Sequence, residues 1–338
     1  MTDSRETALL EWASTQCQTP CTQLLPVAGD ASFRRYYRLP LAEQTLILMD
    51  APPEKEPCEP FIRLARHWFE QGVAVPQVIS ASTELGAVLL QDFGDQQLMQ
   101  GVLHLTAEQA DPWYQQALKQ LTEFQQQPVD TLNLPAYTEA LLAQELDLFD
   151  VWLIQDLLGL DPAQTPACWP DFRAQLIDNA LSQPQRPVHR DYHSRNLMLR
   201  GPDQPLGILD FQDAVIGPIT YDAVSLIRDC YLSWPESWQN HWREVFRQQV
   251  AADLPTADFN RWFDWMGMQR HLKAAGIFAR LWLRDGKASY LQDIPRTLDH
   301  LCCALVHYPE YQAIEIWLSQ QVRPLVLAQL AKRQGEPA

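Results

Sequence analysis

The sequence predicts an α+β fold in two lobes: a small antiparallel sheet with one main helix, then a larger, mostly helical lobe. Three observations predict it. Up to about residue 90 the apolar residues fall in short runs of strand length separated by turn residues. Beyond that point they recur with a helical period over long stretches with few breakers. Residues 188–214, V-H-R-D-Y-H-S-R-N-L-M-L-R-G-P-D-Q-P-L-G-I-L-D-F-Q-D-A, gather polar groups of the kind that bind metal and move protons.

The elements follow in order. Residues 3–16 pattern as a helix, with Leu9, Leu10, Trp12 and Ala13 on one side and Thr2, Asp3 or Ser4 as cap. Residues 23–28, 34–39 and 45–50 read as strands, and Gly29-Asp30-Ala31-Ser32-Phe33 as the loop joining the first two. A helix is expected from Glu59 to Gln71, burying Phe61, Leu64, Ala65 and Trp68, with Gly72 as its stop. Val73 to Ile79 and Ala87 to Leu90 complete the sheet, and the lobes divide at 92/93. Helices are expected over 107–127, 136–158 and 171–181, and again through 220–330, punctuated by Pro235, Pro255, Pro295 and Pro309.

Composition narrows the class. Of 338 residues, 46% are hydrophobic and 20% charged, the balance of an ordinary globular protein. A net charge of −16 repels nucleic acid and anionic membranes, so neither is an expected partner. Seven scattered cysteines form no metal pattern and read as reduced thiols in a cytoplasmic protein. There is no signal-like N-terminus and no run of 18 apolar residues, so no membrane span is expected.

The 188–214 stretch carries the chemistry. His189, Arg190, Asp191 and Asn196 fit H-R-D-x-x-x-x-N, and Asp210-Phe211 stands where kinases carry Asp-Phe-Gly, with Gln212 in place of glycine. Phosphoryl transfer asks for positioning and charge stabilisation. Asp191 is the carboxylate that accepts a hydroxyl proton. Asn196 and Asp210 offer the oxygen ligands that Mg²⁺ prefers. Leu197–Leu199 and Leu206–Leu209 read as a hairpin about Gly201-Pro202-Asp203, which brings Asn196 and Asp210 together. The loop at 29–33 stands where kinases cover the nucleotide phosphates; its backbone amides, Ser32 and Phe33 are expected at the nucleotide. The kinase lysine of the third strand is absent: the run is Thr45-Leu46-Ile47-Leu48-Met49-Asp50. Arg34 or Arg35 is expected to replace it, on opposite faces, Arg34 assigned to the reaction and Arg35 to the nucleotide. Glu59 or Glu70 is the candidate for the kinase helix glutamate.

These motifs, with G-P-I-T-Y-D at 217–222, resemble the aminoglycoside phosphotransferase family of kinase-like enzymes. Within it, G-D-A-S-F-R-R-Y-Y-R-L, L-I-L-M-D-A-P-P, L-L-Q-D-F-G-D and the run 276–296 resemble the bacterial anomeric kinases of N-acetylmuramate and N-acetylglucosamine. The resemblance implies a bilobal protein-kinase-like fold, ATP and Mg²⁺ as cofactors, a small amino sugar as partner, a monomer, and a role in peptidoglycan recycling. It places Gln91, Asp92 and Phe93 at the hinge beside the nucleotide. It places His193, Arg195, Asp213 and Asp222 at the substrate.

Only ten residues separate Asp210 from Tyr221-Asp222, so there is no room for an activation segment, and a small hydroxyl substrate is expected rather than a protein. In a helix expected over 259–285, Arg270, Lys273, Ile277, Arg280 and Arg284 share one stripe. The stripe is either a solvated face or the lining for an anionic ligand, with Arg280 first and Lys273 second as partners of the N-acetylmuramate carboxylate. Two other readings stand: another small-molecule kinase (aminoglycoside, choline or homoserine type), or a weakly catalytic nucleotide-binding protein.

Overall fold

Two compact units make up the chain: residues 1–101 with 195–213, and 102–194 with 214–338. The structure, a computed structural model, describes residues 4–27, 33–128, 133–201 and 204–334. The expected caps Thr2 and Asp3, the loop residues Gly29, Asp30, Ala31 and Ser32, and the turn residues Pro202 and Asp203 lie outside the described residues.

The first unit is built on a five-stranded antiparallel sheet in the order β1 (Leu25–Val27), β2 (Arg35–Pro40), β3 (Thr45–Asp50), β5 (Ala87–Gln91), β4 (Val78–Ser82). The helix Ser4–Cys17 lays Leu9 and Ala13 against Tyr37, Leu39, Leu48 and Leu89 of the sheet. β4 starts later than the expected Val73, because Pro76 lacks the N–H a ladder needs. The helix Glu59–Glu70 buries Phe61, Leu64, Ala65 and Trp68, the spacing of one helical face.

Residues 195–213 pack with this unit although the sequence expectation put everything beyond residue 92 in the second lobe. They form the hairpin β7 (Leu197–Met198) and β8 (Gly207–Ile208). Backbone bonds from Ile208 N to Ala74 O (2.8 Å) and from Leu199 N to Gln96 O (2.8 Å) hold it. Phe211 stacks on Phe61 at 5.0 Å and meets Trp68 edge-on at 5.5 Å.

The second unit is organised by the helix Thr256–Asp285, most of whose residues from Phe263 to Leu281 are buried. Around it stand the helices Glu139–Leu148, Trp169–Ser182, Tyr221–Ile227 and Ile294–Leu305. The helix expected over 136–158 is α-helical only over Glu139–Leu148 and widens to a π-helix over Phe149–Leu157. Gly276 faces that change of winding: a Cβ there would lie 2.3 Å from the Leu148 carbonyl carbon. A two-stranded ribbon of β6 (Gln185–Val188) and β9 (Val215–Pro218) leads into residue 189 on one strand and out towards the helix Tyr221–Ile227 on the other.

Gly276→Ala forces two backbones apart where no flexible side chain can yield. Overpacking of this kind costs about 1–3 kcal/mol, and a lower urea midpoint than wild type is the expected result.

Candidate active site

In the first unit a cavity of about 450 Å³ opens beside β1, β2 and the β7–β8 hairpin. Arg34, Tyr36, Gln91, Phe93, Asn196 and Asp210 are among its lining residues. Arg34 is 7% exposed, and its Nη2 lies 2.8 Å from Glu56 Oε1. Burial pushes the neighbouring Tyr36 hydroxyl up to about 12, against the opposing pull of the Arg34 charge. Arg35 points elsewhere: its Nη2 and Nε bond the buried Asp50 carboxylate at 2.7 and 3.0 Å, and it does not line the cavity. Its expected nucleotide role is therefore corrected; alternation along the chain sends it to the face that carries Arg5 and Asp50.

Glu59 and Glu70 are exposed, and the glutamate that meets the cavity cation is Glu56, in the loop before the helix. Phe33 is 64% exposed, with Lys55 Nζ 5.5 Å from its ring centre, and it too lies off the cavity. Ser32 lies outside the described residues. Asp92 lines the cavity, but its carboxylate is already held by Arg38 (2.5 and 3.0 Å), Thr45 (2.7 Å) and Gly94 N (2.8 Å). Burial raises that carboxyl, and the Arg38 and Thr45 hydrogen bonds outweigh it and hold it low.

The hairpin brings Asn196 and Asp210 together as expected. Leu209 N donates to Asn196 O at 2.9 Å, and the amide of Asn196 lies 3.5 Å from Asp210 Oδ2. Asp210 sits at φ +62°, a left-handed conformation. Gln212, where glycine was expected, donates from Nε2 to Asp210 Oδ1 at 2.7 Å and fixes the carboxylate. Among the described residues no three His, Cys, Asp or Glu side chains form a metal-holding group. One carboxylate and one amide, which can present its oxygen after a half-turn, fit an ion that takes most of its shell from phosphate and water, as Mg²⁺ does. Arg195 lines this cavity, and Asp213 is exposed and does not.

In the second unit, residues 189–194 form a loop tied down by two buried aspartates. Asp222, fully buried, accepts from His189 N (2.7 Å) and Arg190 N (3.0 Å). Asp229, also fully buried, accepts from Ser194 N (2.9 Å) and Tyr231 N (2.9 Å). Asp191 lies between these anchors, half-buried, and its O accepts from His193 N at 3.0 Å. Burial raises its carboxyl, but the charge of Lys273 and then His193, His189 and Arg190 outweigh burial and keep it ionised. The His193 ring packs edge-on against Tyr231 at 5.2 Å. Asp222, expected at the substrate, is corrected: both its oxygens hold loop backbone and none of it reaches solvent.

The middle of the cationic stripe is not a solvated face. Arg270 and Lys273 are 5% and 7% exposed. Arg270 Nη1 lies 3.4 Å from Cys230 Sγ. Lys273 Nζ lies 3.1 Å from Glu145 Oε1 and 2.9 Å from the Tyr221 hydroxyl. Lys273 is thus withdrawn from the role of substrate-carboxylate partner, since its charge is already taken. Arg280 is half-buried, its Nε has no partner among the described residues, and burial, then Arg284, lowers its affinity for the proton. Arg284 pairs with Asp285 at the exposed end.

A family model described as "phosphotransferase enzyme family" matches residues 23–261. The chain belongs to that family. It is 42% identical over 299 residues, 87% of each chain, to an N-acetylmuramate/N-acetylglucosamine kinase of Pseudomonas aeruginosa. It is 39% identical to a kinase of the same description from Neisseria meningitidis, across 88% of this chain and 90% of that one. Among solved structures, an ethanolamine kinase from Plasmodium vivax matches with a TM-score of 0.59 at 10% identity, over 83% of this chain and 82% of that one. The ADP-bound aminoglycoside phosphotransferase APH(2'')-Ib matches at 0.56 and 13%, over 87% and 97%. These establish the protein-kinase-like fold expected from the sequence.

Reading the sequence missed three acidic residues that hold candidate-site groups: Glu56 in the first unit, and Glu145 and Asp229 in the second. Each is an acidic residue in a stretch with no motif, and only its buried partner marks it out. Asp222 offers a test of this anchoring. Burial pushes its carboxyl up to about 7, above the ordinary ~3.9. A raised acid binds its proton more tightly in the folded state, so this contribution to stability is complete below pH ~4 and is lost as pH rises through 7. Urea unfolding of wild type and Asp222→Asn across that range should show the wild type losing stability relative to the variant as pH rises.

Proposed function

We propose that this chain is an ATP-dependent kinase acting on the anomeric hydroxyl of N-acetylmuramate and N-acetylglucosamine. The observation that carries the reading is the 39–42% identity, over nearly nine-tenths of the chain, to kinases described by those two sugars. The sugars place the enzyme in peptidoglycan recycling.

The first unit's cavity takes the nucleotide. Ile47, Leu90 and Phe93 give the adenine an apolar wall, and the backbone at 91–93 gives it hydrogen-bond partners. Arg34 replaces the absent strand lysine at the phosphates, held straight by Glu56 as the kinase lysine is by its glutamate. Asn196 and Asp210 would hold Mg²⁺, which would supply positive charge against the phosphates. Asp191 accepts the proton of the anomeric hydroxyl as its oxygen bonds to the γ-phosphorus, and the bond to the β–γ bridging oxygen breaks to release ADP. Lys273 and Arg190 favour the ionised form of Asp191 that this needs. With Arg34–Glu56 and Gln212–Asp210 filling the two departures from the kinase pattern, a weakly catalytic binding protein is the poorer reading.

Asp191→Asn should lower kcat by about 10²–10⁴-fold, the usual range for a general base, with little change in nucleotide KM; turnover near wild type would remove Asp191 from that role. For the substrate, ATP consumption is to be measured against N-acetylmuramate, N-acetylglucosamine, choline and kanamycin. Activity confined to the two sugars is expected. Arg280, whose Nε lacks a protein partner among the described residues, is the candidate for the lactyl carboxylate, by a charge-assisted pair. Arg280→Ala should then lower kcat/KM for N-acetylmuramate and spare N-acetylglucosamine; equal losses would make it structural.

A further inference from the structure

Phe93 forms one wall of the first unit's cavity, and two residues at the β7–β8 hairpin fix where its ring lies. The first is Gly207, in β8. A Cβ built there would lie 2.6 Å from Phe93 Cε2 and 3.0 Å from Cγ, and closer still to Cδ2. The ring therefore rests directly on the glycine. Gly207 is outside the left-handed region, so its backbone does not call for glycine; the ring does. The second is Arg200, just after β7, whose guanidinium carbon lies 4.3 Å from the ring centre, a cation–π distance.

The hairpin has little room to yield. Gly207 pairs with Met198 across it, Ile208 N donates to Ala74 O at 2.8 Å, and Leu199 N donates to Gln96 O at 2.8 Å. Phe93 itself is 8% exposed, and the open space beside it is the cavity. A side chain at position 207 would thus leave the hairpin in place and drive the ring into that space. The same hairpin carries Asn196 and Asp210 at its outer ends, so a shift of its backbone would show at the metal pair, whereas a shift of the ring alone would not.

We propose that Gly207 and Arg200 are positioning residues for the nucleotide. The glycine gives the Phe93 ring a seat on the hairpin and the arginine holds it there, which keeps the cavity wide enough for a purine base. The inference rests on the reading above that this cavity takes the nucleotide, and on no particular sugar.

The affinity of the wild type for ATP with Mg²⁺, measured by calorimetry, tests that reading; the ratio of variant to wild type tests the seat. Gly207→Ala should raise the Kd for ATP about tenfold or more, with kcat at saturating ATP and KM for the acceptor within about twofold. Circular dichroism checks the fold. In a Phe93→Ala background, where no ring meets the new Cβ, the same change should cost less than about threefold, a coupling that a double-mutant cycle reads. An unchanged Kd, a fall in kcat as large as the loss of affinity, or an equal loss in the Phe93→Ala background overturns the proposal. If Gly207→Ala does not fold, Arg200→Met decides it. That change releases the ring without touching the backbone, and should raise the Kd about two- to fivefold at constant kcat; an unchanged Kd there overturns the proposal.

Discussion

Asp222 accepts two backbone N–H groups from consecutive residues, His189 and Arg190, inside a fully buried site. The loop that presents Asp191 has no regular secondary structure of its own, so its shape depends on such external acceptors. Leaving either N–H without a partner costs about 1–3 kcal/mol. The ribbon β6–β9 delivers the two ends of this arrangement: β6 runs into His189, and β9 runs out towards the helix that bears Asp222. Asp229 repeats the device at the other end of the loop, on Ser194. Asp191 is thereby held in a loop whose backbone is bonded on both sides of it.

The same economy of buried charge shapes the first unit. Asp50 is fully buried and lies between Arg5 and Arg35, which joins the N-terminal helix to the sheet and turns Arg35 away from the cavity. Arg34 is left to face the cavity with Glu56. On the proposed reading, Arg34, just before β2, and Glu56, in the loop before the helix Glu59–Glu70, take the place of the kinase's third-strand lysine and helix glutamate. Arginine's rigid fork suits phosphate as well as lysine's point charge does. Gln212 makes a comparable exchange, replacing a glycine's freedom with a side-chain hydrogen bond that fixes Asp210 at positive φ.

In the second unit the helix Thr256–Asp285 shows how one stripe carries different jobs along its length. Arg270 and Lys273, near its middle, are buried and neutralised or sheltered by Cys230, Tyr221 and Glu145. Arg284, at the end, pairs with Asp285 in solvent, where such a pair contributes little. Arg280 stands between these limits, partly desolvated, its Nε with no hydrogen-bond partner among the described residues. The gradient follows from packing: Gly276 lets the helix approach the Leu148 backbone, and burial deepens around that contact.

Local chemistry was legible in the sequence wherever adjacent residues decide it. The period of apolar residues set most elements within a few positions, and the apolar runs Leu197–Leu199 and Leu206–Leu209 about a turn implied a hairpin that juxtaposes Asn196 and Asp210. The face on which Arg34 and Arg35 lie differs because a chain near a strand alternates, but which of them meets the cavity was settled by Asp50, a partner fifteen positions from Arg35. Asp222 matched a motif, yet only its burial shows that it serves the loop backbone. Glu145 and Glu56 had no signature, since a carboxylate in a polar stretch reads as a solvated side chain until its partners are known. Their roles come from residues 45 positions (Arg190), 128 positions (Lys273) and 22 positions (Arg34) away in the chain. Short-range periodicity therefore determined the elements and the candidate reacting groups, while the tertiary fold decided which charges are buried together and which are left for a ligand, because charge burial depends on contacts that no local pattern encodes.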